Sequence, residues 1–461
     1  MRFENQKTPF SHSSTEAARR PLATAGGLLA IVALTAACGT NSSSEAARSN
    51  EFEFTLPPTT VGKIVDTQSY ITALETPFSL PEKPGNTISF RSDAVQAFEL
   101  SDGRIVSVGS DTIVGPSPHD TPEPNTPSGK IIAHNFGSCY DPNPKNPTMT
   151  VLNQRFSANE IDPLLPRSVT PYEAAAFIKN RVNSYRQNGA LDSDAELENL
   201  AAQQLESYEK NTYEWVGSGF AKGNKVYLFS LVMEKTAEGA WGFANVGTKL
   251  RVIDFGVGGC DKYVIENTVD TPAIAEGAGG VMWGAASVYD KKDGFVYLLG
   301  NQASTEPLSG HNYYAARVPL TTITDVSAWQ YWDGEEFSAD STQRKPVISE
   351  EAGIREAVSL TRDPNNDTYS LLYQKPVPYG VTATVYSQSG PEVMSVFAAK
   401  PEVLATNLPA KLDGNFAYLP NKQFFTIDGQ TLPITTVSVN NINNPAVYSV
   451  YSLAGAQNIV P

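Results

Sequence analysis

The sequence predicts an all-β fold, a five-bladed β-propeller with a two-helix insertion in or after the first blade. Three observations predict it. A turn followed by an aliphatic-aromatic strand recurs as Lys222-Gly223-Asn224-Lys225-Val226-Tyr227-Leu228-Phe229, as Lys292-Asp293-Gly294-Phe295-Val296-Tyr297-Leu298-Leu299 and as Asn366-Asp367-Thr368-Tyr369-Ser370-Leu371-Leu372-Tyr373. Those turns begin near 222, 292 and 366, about seventy residues apart, and a fixed period is the mark of repeated sheet units. An earlier turn at 102 fits the same period once the helical segment 161–213 is removed. A fifth unit fits between Leu412 and Leu453, with Phe416-Ala417-Tyr418 and the alternating run Thr435 to Val439.

Taken in order, residues 1–38 read as an export signal. Arg19-Arg20 precedes an apolar run, Leu22 to Ala37, that is short and small-sided for a spanning helix. Its end, Leu34-Thr35-Ala36-Ala37-Cys38-Gly39, resembles a bacterial lipobox, in which Cys38 is lipidated and anchors the chain to a membrane. Cleavage after Ala37 with simple secretion is the alternative, and either one places the chain outside the cytoplasm. Residues 39–50 are a polar, Ser-rich tether without the apolar side chains that would offset the entropy of ordering. Residues 51–461 form the propeller domain. Its first extended pieces, Phe52-Glu53-Phe54 and Val61 to Ile71, are candidates for closing the ring against the last blade. In 161–213, Thr170 is a helix N-cap with Pro171 at the first helical position, and a second helix is expected from Asp192 to Lys210. The insertion reads equally as a lid over the ring or as surface decoration.

The stretch Arg91 to Pro116 reads as a hairpin turning at Ser101-Asp102-Gly103, because Gly accepts the positive φ of a tight turn. Asp93 precedes its first strand and Asp111 follows its second, so folding back brings two carboxylates side by side. Paired carboxyl groups serve glycoside hydrolysis as acid and as base or nucleophile. Proximity also drives their proton affinities apart. Aspartates at strand ends are equally ordinary turn chemistry.

The pattern Ser92-Asp93, strand, Asp102-Gly103-Arg104, strand, Gly109-Ser110-Asp111-Thr112 resembles the first blade of a bacterial family of five-bladed β-propellers. That family was long catalogued as a domain of unknown function and is now linked to endo-acting D-arabinanases. Ala315-Ala316-Arg317-Val318-Pro319 with Trp329-Gln330-Tyr331-Trp332-Asp333-Gly334 resembles another of its passages. The resemblance implies an exported glycoside hydrolase that cleaves D-arabinan in an envelope polysaccharide, with Asp93 and Asp111 as the catalytic pair. The family usually has Gly where Ser110 stands, a departure that narrows the site or marks altered activity. Blade-start residues converge on one mouth of a propeller, so Trp215, Trp283 and Glu356 are candidate sugar contacts, with His134 beside them. Packing for the tryptophans, a solvated rim position for Glu356 and a structural role for His134 are the plainer readings. The rival functions are an inactive propeller that binds envelope glycan or a partner protein, and a hydrolase for another furanoside or pyranoside.

Composition narrows the field. With 34 basic and 49 acidic residues the net charge is −15, which disfavours nucleic acid as a partner. The four histidines show no metal-ligand spacing, and no cofactor is implied. Gly217-Ser218-Gly219 lacks the spacing of a nucleophile elbow, and no helix signal follows Gly277-Ala278-Gly279-Gly280 to make it a phosphate cradle. Asp363-Pro364-Asn365-Asn366-Asp367 is better explained as a turn than as half of a calcium loop. Cys139 and Cys260 either pair in an oxidising compartment or stand as separate buried thiols.

Overall fold

The computed structural model describes residues 56–79, 87–115, 131–143, 145–153, 161–236, 242–276, 280–302, 310–354, 358–375, 383–408, 415–441 and 449–453. The export signal, the tether, Cys38, the expected closing piece Phe52-Glu53-Phe54 and Glu356 lie outside the described residues.

Antiparallel sheet dominates. Five sheets follow one another along the chain, and each begins with a strand that becomes its inner edge: β1 (Gln96–Glu99), β2 (Thr212–Lys222), β3 (Val281–Tyr289), β4 (Val358–Arg362) and β5 (Asn415–Ile427). The next strands run outward in sequence order, as hairpin connections dictate. The first sheet departs from this, because Thr59–Thr60 adds to its outer edge. A sixth, small sheet joins Phe78–Ser79, Thr87–Ser92, Thr112–Gly115 and Ile131–Ala133. Its two middle strands extend the hairpin at the end that carries Asp93 and Asp111. No sheet among the described residues closes on itself.

Apolar faces are buried between successive sheets. Phe98, Val106 and Val108 of the first pack with Val216, Leu228 and Ile253 of the second. Phe229 and Leu250 meet Trp283, Leu298 and Val318 of the third. Tyr313 and Leu299 meet Leu360 and Leu371 of the fourth, and Val385 and Leu408 meet Val437 and Val439 of the fifth. Phe425 and Ile434 of the fifth return to Ile105 and Tyr140 of the first. Each buried aliphatic or aromatic side chain contributes about 1.5–3 kcal/mol, so every sheet depends on both neighbours for its core.

The inner strands also touch in series. β1 and β2 are neighbours, as are β3 and β4. The Ser218 hydroxyl of β2 donates to the Ser287 hydroxyl of β3 at 3.0 Å. The Ser359 hydroxyl of β4 donates to Asn421 Oδ1 of β5 at 2.9 Å. Asn421 Nδ2 in turn donates to the Val95 carbonyl at 3.1 Å and to Gln96 Oε1 of β1 at 3.2 Å. A Cβ on Gly217 would lie 2.9 Å from the Phe229 carbonyl oxygen and 3.1 Å from that of Gly284, so a larger residue would crowd β2 against its partner strand and against β3.

Two expectations need correction. Val61 to Ile71 is not a closing strand: Asp66 caps helix α1 (Thr67–Leu74), with Ser69 completing a reciprocal capping box. Tyr70 and Ile71 of α1 join the core shared by the fifth and first sheets, and the Ser449 hydroxyl donates to Glu75 just beyond it. The second expected helix is broken at Gln204 into α3 (Asp194–Gln203) and α4 (Leu205–Asn211), after α2 (Pro171–Gln187). Thr170 caps α2 as its sequence implies, accepting from the Glu173 N–H.

The helices dock on the second sheet through a buried ionic cluster. Glu173 of α2, 1 % exposed, pairs with Arg167 and with Lys249 Nζ at 2.7 Å, and accepts the Tyr208 hydroxyl at 2.8 Å. Lys249 also meets Asp270 at 3.2 Å. Cys139 and Cys260 are joined in a disulfide with Cα atoms 5.6 Å apart, which ties the first sheet to the loop beyond Asp254 of the second.

Candidate active site

The site begins with main-chain pairing. Ser92 and Thr112 are register partners in the small sheet, and their hydroxyls are 2.7 Å apart. One step on, the Asp93 N–H donates to the Asp111 carbonyl at 3.1 Å, and the Ser110 N–H donates to the Asp93 carbonyl at 3.0 Å. The two aspartates are therefore fixed side by side by the backbone, before their side chains contribute anything.

Their side chains find different surroundings. Asp111 is 26 % exposed, and its Oδ1 accepts from Trp215 Nε1 at 2.7 Å and contacts His134 Nδ1 at 3.1 Å. His134, 45 % exposed, stacks on Tyr213 with ring centroids 3.8 Å apart. Trp215 meets Tyr213 and Phe243 edge-on. Burial first, then the Asp111 charge, pushes the Tyr213 hydroxyl up to about 12.

Asp93 is half-buried. Its Oδ2 accepts the Tyr418 hydroxyl at 2.6 Å, and that hydroxyl accepts from Asn440 Nδ2 at 2.6 Å. Burial, then Asp93, then Asp111 raise Tyr418 well above its ordinary value, so it stays a donor. Both carboxylates thus act on one phenol. Ala94, next to Asp93, adopts φ 51°, and its N–H donates to the Ser438 hydroxyl at 2.8 Å. Non-glycine residues pay for this conformation, and it is held here by the fifth sheet.

Ser110 acts away from the carboxylates. Its hydroxyl accepts from the Val216 N–H at 3.1 Å and donates to the Val216 carbonyl at 3.2 Å. A side chain absent from glycine therefore pins the residue after Trp215.

Asp93, Asp111, Trp215 and His134 come together. Trp283 does not. It is fully buried, with its ring against Trp329 and Tyr331 at 6.1 and 5.6 Å between centroids. Gly284 follows it at φ 96°, where the strand bulges, and the indole packs between the second and third sheets. Its assignment as a sugar contact is corrected to core. Sequence reasoning missed Tyr418, Asn440 and Tyr213. Tyr418 precedes a bulge in its inner strand much as Trp215 and Trp283 do in theirs, a likeness that only the structure shows.

Among solved structures, the chain is similar to a putative hydrolase from Bacteroides ovatus ATCC 8483, at 14 % identity and a TM-score of 0.48, over 83 % of this chain and 96 % of that one. It is also similar to an exo-1,5-alpha-L-arabinanase from a bovine ruminal metagenomic library, at 10 % identity and 0.38, over 78 % and 92 %. A Cellvibrio cellulosa alpha-L-arabinanase complexed with arabinohexaose gives 9 % and 0.39, over 78 % and 90 %. No curated protein matches the sequence. One family profile, Domain of unknown function (DUF5005), matches residues 144–419, a span that holds Trp215 and Tyr418 but begins after Asp93 and Asp111. That span is more than half of the chain, and the protein belongs to the DUF5005 family.

Proposed function

We propose that the protein is an exported, lipid-anchored glycoside hydrolase built on a five-bladed β-propeller, acting within D-arabinan of an envelope polysaccharide. The observation that carries the hydrolase reading is the main-chain pairing at the two aspartates, in which the Asp93 N–H donates to the Asp111 carbonyl and the Asp93 carbonyl accepts from the Ser110 N–H. It holds two carboxyl groups together beside an aromatic wall of Tyr213, His134 and Trp215. One carboxyl group gives its proton to the departing glycosidic oxygen, and the other activates water or attacks the anomeric carbon. The aromatic wall suits the apolar face of a sugar ring.

The propeller reading is supported by the serial contact of the five inner strands and the return of the fifth sheet to the first. D-arabinan as substrate rests on the sequence resemblance around Ser92-Asp93 and Ser110-Asp111-Thr112. The Cys139–Cys260 disulfide supports an oxidising location, and Cys38 supplies the anchor.

Incubating the purified protein with arabinogalactan and analysing released oligosaccharides tests the reading. Cleavage is expected, and Asp93→Asn and Asp111→Asn are each expected to abolish it while retaining fold and glycan binding. Binding without cleavage by the unsubstituted protein would instead identify an inactive glycan-binding propeller. Mass spectrometry of the mature N-terminus tests the lipid on Cys38.

A further inference from the structure

We propose a second binding site, for an anionic sugar, at the end of the inner strands remote from the two aspartates. Each inner strand begins on the Asp93 side and ends on the other. Along them, Ser218 bonds to Ser287, and Asn421 bonds to both Ser359 and Gln96, which makes a polar collar of five side chains. The collar and the strand ends after it line a cavity of about 340 Å³, and none of Asp93, Asp111, Trp215 or Tyr418 lines it.

The charge at this end is opposite to that of the molecule. Lys222, Lys291, Arg362 and Lys422, one from the end or edge of each of four successive sheets, line the cavity in a chain of net charge −15. Lys222, Lys291 and Lys422 form no ion pair among the described residues, whereas Arg362 pairs with Asp367. The lining also holds one carboxylate, Glu99. Burial raises its proton affinity, and it accepts the Thr426 N–H at 2.8 Å. Three lysines held around a concave space without carboxylate partners repel one another unless an anion joins them.

The walls between the cations are aromatic. Phe220, Tyr289 and Phe424 line the cavity, with Lys222 Nζ 5.1 Å from the Tyr289 centroid and Lys422 Nζ 5.1 Å from that of Phe424. With ammonium groups over two of these rings, the cavity offers apolar surface and positive charge together, which suits a pyranose or furanose bearing a phosphate or carboxylate. The collar supplies hydroxyl and amide groups for the sugar hydroxyls. The volume takes one or two sugar units and is at the low end for small-molecule pockets.

Calorimetric titration of the purified full chain with glucose 6-phosphate and with glucuronate tests the site, with glucose and inorganic phosphate as controls. At least one anionic sugar is expected to bind with an affinity that falls as salt rises. It is expected to bind at least tenfold tighter than either control. The double variant Lys222→Gln/Lys291→Gln is expected to lose at least tenfold in affinity, and Lys210→Gln, on an exposed helix, nothing. Asp93→Asn is expected to bind unchanged, which separates this site from the proposed hydrolase. Failure of both anionic sugars to bind at millimolar concentration, equal binding of inorganic phosphate, or indifference to the double variant would overturn the proposal. Which sugar binds decides between phosphate and carboxylate.

Discussion

The Tyr418 hydroxyl donates to Oδ2 of Asp93 at 2.6 Å across 325 residues of sequence. The Tyr418 hydroxyl also accepts from Asn440 Nδ2, so Tyr418 is oriented as well as buried. Its ionisation lies well above the ordinary tyrosine value, through burial first and the two carboxylates next. It therefore keeps its proton through neutral and mildly alkaline solution, and no alkaline loss of activity below about pH 10 is expected to come from it. Tyr418→Phe removes a hydrogen bond to a charged group, worth about 1.5–3 kcal/mol. On an arabinan substrate, kcat is expected to fall by about 10- to 100-fold, with KM changed far less. An equal fall in kcat/KM through KM alone would make Tyr418 a binding group only.

Ser110 offers a test of how the Trp215 segment is held. Ser110→Gly deletes both hydrogen bonds to Val216 and adds backbone freedom. The expected cost is about 1–3 kcal/mol in urea denaturation. Amide exchange at Val216 is expected to quicken by at least tenfold, since Ser110 is its acceptor. Ser110→Ala, which removes the hydroxyl alone, is expected to show the same exchange effect at smaller cost. Unchanged exchange in both variants would mean that the hydroxyl does not pin the Trp215 segment.

What the sequence disclosed follows the range of the forces involved. Asp93 and Asp111 were legible as neighbours because a Gly103 turn and short-range strand pairing bring them together. The Thr170 cap and Pro171 start of α2 were legible for the same local reason. Tyr418 and the Asn440 that bonds to it were not, because the approach of Tyr418 to Asp93 depends on where the fifth sheet meets the first. Trp283 and Trp215 look alike in sequence. They differ because one ring turns into the core between two sheets and the other reaches a carboxylate. The Val61 to Ile71 stretch has extended-chain composition, yet Asp66 and Ser69 satisfy helix-start N–H groups reciprocally and decide for helix.

The ionic cluster under α2 makes the insertion acid-sensitive. Burial alone would raise the Glu173 carboxyl, but Arg167 and Lys249 outweigh it and hold the group below its ordinary 4.5. A depressed carboxyl contributes stability that is fully present above that value and is lost as pH falls through the folded value. Amide exchange in α2, α3 and α4 is therefore expected to rise below about pH 4.5, before that of the second sheet's inner strands. Glu173→Gln leaves Lys249 and Arg167 buried without their shared partner, at a cost of about 3–5 kcal/mol. A Glu173→Gln protein as stable as the parent at pH 7 would mean that the helices are held by apolar contact alone.

The Cys139–Cys260 bridge closes a loop with a sequence separation of 121, and that loop contains the whole helical insertion and both its flanking strands. Cross-linking so long a loop removes unfolded-state entropy worth about 5 kcal/mol in the chain-entropy account, with about 2–5 kcal/mol typical in practice. The bridge ties the first sheet, whose strand Ile105–Gly109 ends two residues before Asp111, to the second, which carries Trp215. Reduction is thus expected to weaken the site as well as the fold. Urea unfolding with and without dithiothreitol, and of Cys139→Ala/Cys260→Ala, is expected to show a lower midpoint with a larger slope, because the reduced unfolded chain exposes more surface. A midpoint unmoved by reductant, with free thiols verified by labelling, would show that the two sheets are held together by the Phe98–Leu228–Ile253 core alone.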